Sequence, residues 1–301
     1  MGKLKYCKFT NNSIKTPNAV NLAIICMRIL RFSCFGNGPQ GGNPALVVID
    51  GPPDAEQRVA LAREHALTCV FLDPAGEPGV AATLDFVYPH MRSPLCLHAT
   101  LAAAQVLFDR EGDAAPLAVK TAMHGQLLTL SRNRETQCDT VFVRLARQAA
   151  PQVAVDEVLA ARLLAAPGLR LASAPGIASV GSPKLLLEVA DAATLHGLQP
   201  DLALIQAWGK AHGVSGCYAW CRLGDNEVEG RNFNHLDPLL EDSATGVAAG
   251  ALTALLGHGL LLRQGRARGS ECVIHTKREG NAVLVGGRVR SDPAFTPARA
   301  R

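Results

Sequence analysis

The sequence predicts an α+β fold of two similar halves, each with short strands and one buried helix, and a ligand site between them. Three observations point there. Ala99-Thr100-Leu101-Ala102-Ala103-Ala104 matches Ala244-Thr245-Gly246-Val247-Ala248-Ala249 at four of six positions, 145 residues apart. Gly42-Asn43-Pro44-Ala45-Leu46-Val47-Val48 resembles Gly181-Ser182-Pro183-Lys184-Leu185-Leu186-Leu187 in the same order, 139 residues apart, and ordered matches at nearly equal offsets are the mark of an internal duplication. Both Ala-rich runs also open behind polar residues, Cys96 and His98 in one and Glu241-Asp242-Ser243-Thr245 in the other, where a buried helix should begin.

Composition bounds the rest. With 301 residues, 48% of them hydrophobic and 19% charged, the chain can bury two ordinary cores. Its formal charge of +4 comes from Lys3, Lys5, Lys8 and Lys15, because the remaining 26 basic residues balance 26 acidic ones. A neutral body with 5% aromatic residues has no material for tracking phosphates or stacking bases, so no nucleic-acid partner is expected. The nine cysteines are odd in number and scattered, which reads as reduced thiols in a cytoplasmic protein. Cys217 and Cys221 fall on one face of an apolar strand and read as core, with no second Cys or His pair at zinc spacing, so no metal is expected.

In order along the chain, residues 1–26 read as a disordered or artefactual extension, with Met27 as the natural start. The apolar run Ala19 to Ile25 is too short to span a membrane, so no membrane association is expected. Met27 to Phe32 is a strand pattern, and the Gly-rich turn Phe35 to Pro44 leads into another at Ala45 to Ile49. That turn is no dinucleotide fingerprint, since a strand and not a helix follows it. Ala55 to His65 reads as a surface helix; Leu67 to Leu72 and Leu84 to Tyr88 read as strands. The first buried helix carries on to Phe108. Strands at 127–130, 141–145, 184–189 and 218–222, a helix at 200–212, and a hairpin around Glu279-Gly280-Asn281 complete the pattern. The halves are expected at 27–145 and 146–290, with 291–301 a loose tail.

Helix starts of this kind present free N–H groups and the positive end of a dipole to an anion. At the first, the dipole favours a Cys96 thiolate and keeps the His98 imidazole neutral. Asn43, beside two glycines, can bring a side-chain amide to the same ligand.

These residues resemble the phenazine-biosynthesis PhzF-like family of the diaminopimelate-epimerase fold, over Met27 to Val289. The likeness rests on Gly41-Gly42-Asn43-Pro44-Ala45, on Cys96-Leu97-His98-Ala99-Thr100, on Glu241-Asp242-Ser243-Ala244-Thr245-Gly246, and on Val285-Gly286-Gly287. It implies two pseudo-symmetric halves, each a mixed β-sheet rolled around a central α-helix, and a homodimer. The implied activity is that of an isomerase or epimerase needing no cofactor, which moves a proton next to the carboxylate of a small acid. By this resemblance His98 and Asp242 line the site, Thr245 and Gly246 form an anion cradle, and Asn43, Leu97, Thr100 and Ser243 contact substrate. The family's base is a glutamate after the first surface helix, where this chain reads Ala66-Leu67-Thr68-Cys69-Val70, so Cys69 or Thr68 stands in its place. Cys96 falls where related cysteine-type epimerases carry their first thiol; Ser243 falls where they carry the second. The candidate proton carriers are therefore Cys69 and Cys96, assisted by His98 and Asp242. A carboxylate-binding protein without turnover is the alternative.

Overall fold

Each half begins with a strand whose neighbours run in opposite senses. In a computed structural model, which describes residues 27–112, 114–134, 139–233 and 241–295, Asn43–Ile49 lies antiparallel to Arg28–Cys34 and parallel to Thr68–Asp73. Thr68–Asp73 is antiparallel to Val80–Val87, which pairs antiparallel with Arg92–Ser93 and parallel with Leu117–Thr121. Leu127–Asn133 and Thr140–Ala146 follow as antiparallel neighbours. The second half repeats this scheme strand for strand. Lys184–Glu188 is antiparallel to Gly176–Ala178 and parallel to Cys217–Arg222; Glu227–Phe233 then pairs with Glu241–Asp242 and, in parallel, with Leu261–Gln264; Cys272–Glu279 and Ala282–Gly287 close the series. The halves join where Ala282–Gly287 pairs with Thr140–Ala146 and Val289–Ser291 with Arg28–Cys34. The fold is thus α+β, with a mixed sheet wrapped round one helix in each half.

Those central helices are Leu97–Glu111 and Gly246–Leu256. Both are rich in Ala and buried on nearly every side, because small side chains let strands approach from several directions. Both follow a two-residue strand and a bend, so the structural repeat runs 149 residues from Leu97 to Gly246. The Ala-Thr match at 145 is one helical turn out of that register: the repeated small residues serve packing and recur with the helix period. The strand match at 139 holds, since Leu46 pairs with Cys69 as Leu185 pairs with Cys217.

Strand alternation sorts side chains between the inner cores and two outer ones. Leu185, Leu187, Cys217, Cys221 and Phe233 face an outer cluster covered by Glu157–Leu163, Ala192–Gly197 and Leu202–His212. Cys217 and Cys221 are core residues, as their spacing predicts. Leu46, Val48, Cys69, Phe71 and Val87 face the other, under the helix Ala55–His65. The strand Glu227–Phe233 escapes sequence reading because its outward positions are charged. Its Glu229 meets His196 and its Arg231 meets Glu241 at 2.8 Å each. No helix among the described residues is long and apolar enough to cross a membrane. The expectations for residues 1–26 and for 296–301 lie outside the described residues.

Candidate active site

The two central helices differ from the outer ones at their first residues. Asp54, Asp156, Asp191 and Asp201 each cap an outer helix by accepting from a first-turn N–H. Cys96 and Thr245 hold the cap positions of the central helices and make no such bond. Uncapped N–H groups and two dipole ends therefore meet in one place, where an anion is the natural partner. The starts are close: a Cβ added to Gly246 would stand 2.9 Å from the Leu97 Cβ.

A polar network joins the halves across this junction. The Asn43 amide donates to Asp242 Oδ1 at 2.9 Å and to the Ala244 carbonyl at 3.0 Å. Both acceptors take hydrogens only, which fixes the amide nitrogen toward them. Its two protons are then spent, and the 3.4 Å contact with His98 Nδ1 is left without one. That nitrogen instead faces Cys96 Sγ at 3.3 Å. Thr245 Oγ1 donates to Asp242 Oδ2 at 2.8 Å, and Gln264 Nε2 donates to the Asp242 carbonyl at 2.8 Å and to Thr245 Oγ1 at 3.1 Å. Gln264 Oε1 accepts from the Thr245 N–H at 3.2 Å. Asp242 is thereby held rigidly, both carboxylate oxygens occupied.

Electrostatics single out the Cys96 and His98 pair. Burial disfavours imidazolium at His98, yet the Cys96 sulfur, its hydrogen bond and the Asp242 carboxylate outweigh burial, and the pKa lies above the ordinary imidazole value. The direction runs against the dipole's pull, because a sulfur and a carboxylate sit closer to the ring than the dipole's diffuse charge. Tyr88 packs edge-on to His98 with ring centres 6.5 Å apart. Burial, then the nearby Cys96 and Asp242, push its hydroxyl well above the usual phenol range and leave it a neutral donor beside the sulfur.

Two adjoining spaces open from this pair. The larger, about 520 Å³, is bordered by Asn43, Thr68, Tyr88, His98, Asp242 and Ser243 among others, with Arg268 at its rim. The smaller, about 90 Å³, lies between the helix starts and is bordered by Cys96, Leu97, His98, Lys184, Thr245 and Gly246. Seven of the ten sequence candidates therefore need no revision in place: Asn43, Cys96, Leu97, His98, Asp242, Ser243 and Gly246 line the cleft. Three do need it. Cys69 points to the outer core, its Sγ 3.8 Å from the Leu67 carbonyl, and burial pushes its thiol up to about 12. Thr68, the preceding residue of an alternating strand, faces the cleft instead. Thr100 is turned back on its own helix, donating to the Cys96 carbonyl at 2.8 Å. Thr245 borders the cleft, but its N–H and hydroxyl are already committed and add little to the anion cradle. Sequence reading missed Tyr88, Gln264 and Lys184.

Lys184 carries a burial cost. The residue is 2% exposed, and its ammonium donates to the Ser215 carbonyl. Burial lowers its pKa to about 8, against smaller upward pulls from Asp242 and Cys217. The folded chain sheds this proton before the unfolded chain does, so the cost is fully present below about pH 8 and is relieved as pH rises toward 10.5. Lys184→Met is expected to raise stability at pH 7 by on the order of 3 kcal/mol, and to do little at pH 10. Denaturant titrations at the two pH values check this.

A duplicated α+β fold with uncapped helix starts meeting in a polar cleft defines a protein of the diaminopimelate-epimerase-like class. The profile of the phenazine biosynthesis-like family, PhzC-PhzF, matches residues 32–288. An uncharacterized isomerase of Deinococcus radiodurans is 32% identical over 259 residues, covering 80% of each chain. Among solved structures, a PhzF-family phenazine biosynthesis protein of Bacillus anthracis superimposes with a TM-score of 0.74 at 17% identity, over 89% of this chain and 97% of that one. A hydroxyproline epimerase of Agrobacterium vitis, bound to trans-4-hydroxy-L-proline, superimposes with a TM-score of 0.57 at 15% identity, over 88% and 91%. The chain belongs to the PhzC-PhzF family, and it is an isomerase.

Proposed function

We propose that the protein moves a proton on the carbon next to the carboxylate of a small acid, with Cys96 and His98 as the proton carrier. The observation that carries this is the 3.3 Å approach of Cys96 Sγ to His98 Nδ1 at an uncapped helix start inside the cleft. A thiolate beside imidazolium is a competent base for a carbon acid, and the helix N–H groups stabilise the charge that spreads onto the carboxylate as the proton leaves. The proton passes to sulfur and returns from it; the step needs nothing beyond the chain's own residues. Ser243 stands where two-thiol relatives carry their second base, so the carrier works from one side. That favours a shift of the proton between two carbons of an unsaturated acid over two-sided epimerisation.

Thr68 supports a second reading. It borders the larger space and, by the resemblance, stands with Cys69 where the family carries its glutamate; a cleft without that carboxylate can bind an acid and leave it unchanged. Heavy water separates the two readings. Over a panel of small amino, hydroxy and unsaturated acids, the first predicts deuterium entering at least one acid, read by mass spectrometry. Stabilisation by an acid that never takes up deuterium would mean binding without turnover.

A further inference from the structure

Lys184 is an expense without an evident structural return. Its inner-face position in the strand Lys184–Glu188 corresponds in the first half to Ala45, so the fold does not demand an ammonium there. Among the described residues, its three N–H groups have one acceptor, the Ser215 carbonyl. Asp242 is near enough to influence it, yet both Asp242 oxygens accept from Asn43 and Thr245, and Lys184 forms no ion pair among the described residues. A second buried polar group lies on the strand beside Asp242. Asn232, opposite Asp242 in the strand pairing, is fully buried with its side-chain nitrogen and oxygen both unpartnered among the described residues. Buried polar capacity of this kind is costly unless something fills it.

We propose that Lys184 receives the substrate's carboxylate in the small space between the helix starts, which orients the rest of the acid outward into the larger space. That space of about 90 Å³ has room for such a group, and Lys184 is the one Lys or Arg among the residues that border it. The ammonium adds a charge-assisted bond to the helix N–H groups. It also fixes which end of the molecule meets Cys96 and His98. This rests on the carboxylate reading above, and goes further by naming the residue that selects an anion.

The test is binding, measured by thermal shift and calorimetry on the whole protein, with propionate and its neutral isostere propionamide as probes. Propionate is expected to bind and propionamide not. Lys184→Met is expected to weaken propionate by roughly tenfold or more, with Lys184→Gln as a second variant should the first fold poorly. The groups around the ammonium that titrate or carry charge are Asp242, Cys217, Tyr88, Cys96 and His98. The last two affect wild type and variant alike, so the difference between them isolates Lys184: it should shrink as pH rises through about 8, where the ammonium is lost. Equal propionate affinity in wild type and both variants would overturn the role of Lys184 and leave the carboxylate cleft standing. Equal binding of propionate and propionamide, or of neither, would remove the carboxylate reading and this proposal with it.

Discussion

Cys96→Ala is expected to lower deuterium exchange by roughly a thousandfold, the order of loss for a positioned proton carrier, while propionate binding changes little. The variant leaves the helix start, Asp242 and Lys184 in place and removes only the sulfur. A second readout is independent of turnover. The His98 pKa is raised chiefly against burial by Cys96 and Asp242, so the variant should lower it, which an NMR titration of the ring measures. In the wild type, imidazolium persists above the ordinary value; a rate that needs it falls as pH passes that raised value. Cys69→Ala should leave exchange untouched, because that thiol sits in the outer core.

Arg58→Ala is expected to cost roughly 3–5 kcal/mol of stability, the range for removing one partner from a buried ion network. Its guanidinium bonds Asp73 twice and Asp85 once at 2.8 Å, and lies 4.6 Å over the Phe71 ring. Asp85, 1% exposed, also accepts from Arg92 at 2.8 Å. The network ties together the strands that deliver Thr68, Tyr88 and Cys96 to the cleft. Chemical denaturation checks the loss. A cost below about 1 kcal/mol, the usual worth of an exposed pair, would show that water replaces the network.

Much of this was legible because it obeys local rules. The helix Ala55–His65 was readable to the residue from its pattern, and both central helices announced themselves by small residues behind polar ones. Strand alternation alone could have separated Thr68 from Cys69, but the register depends on which face meets the inner core, and that is set by strands far away in sequence. Lys184 sits in an apolar run, and no local signal marks it until the parallel pairing with Cys217–Arg222 buries it. Gln264 and Tyr88 carry no motif; strand pairing within each half brings Gln264 to Thr245 and Tyr88 to Cys96. The 145-residue repeat misled by one turn because Ala-rich packing repeats with the helix and not with the duplication.

The central claim is that Cys96 carries the proton, and site-resolved alkylation at neutral pH tests it most directly. Mass spectrometry of the protein exposed to iodoacetamide would follow Cys96 beside Cys34, Cys69, Cys217, Cys221 and Cys272, the other described thiols, all buried. Cys96 is expected to react first, to be protected by propionate, and to take exchange activity with it as it is modified. Full modification of Cys96 with exchange intact would contradict the account.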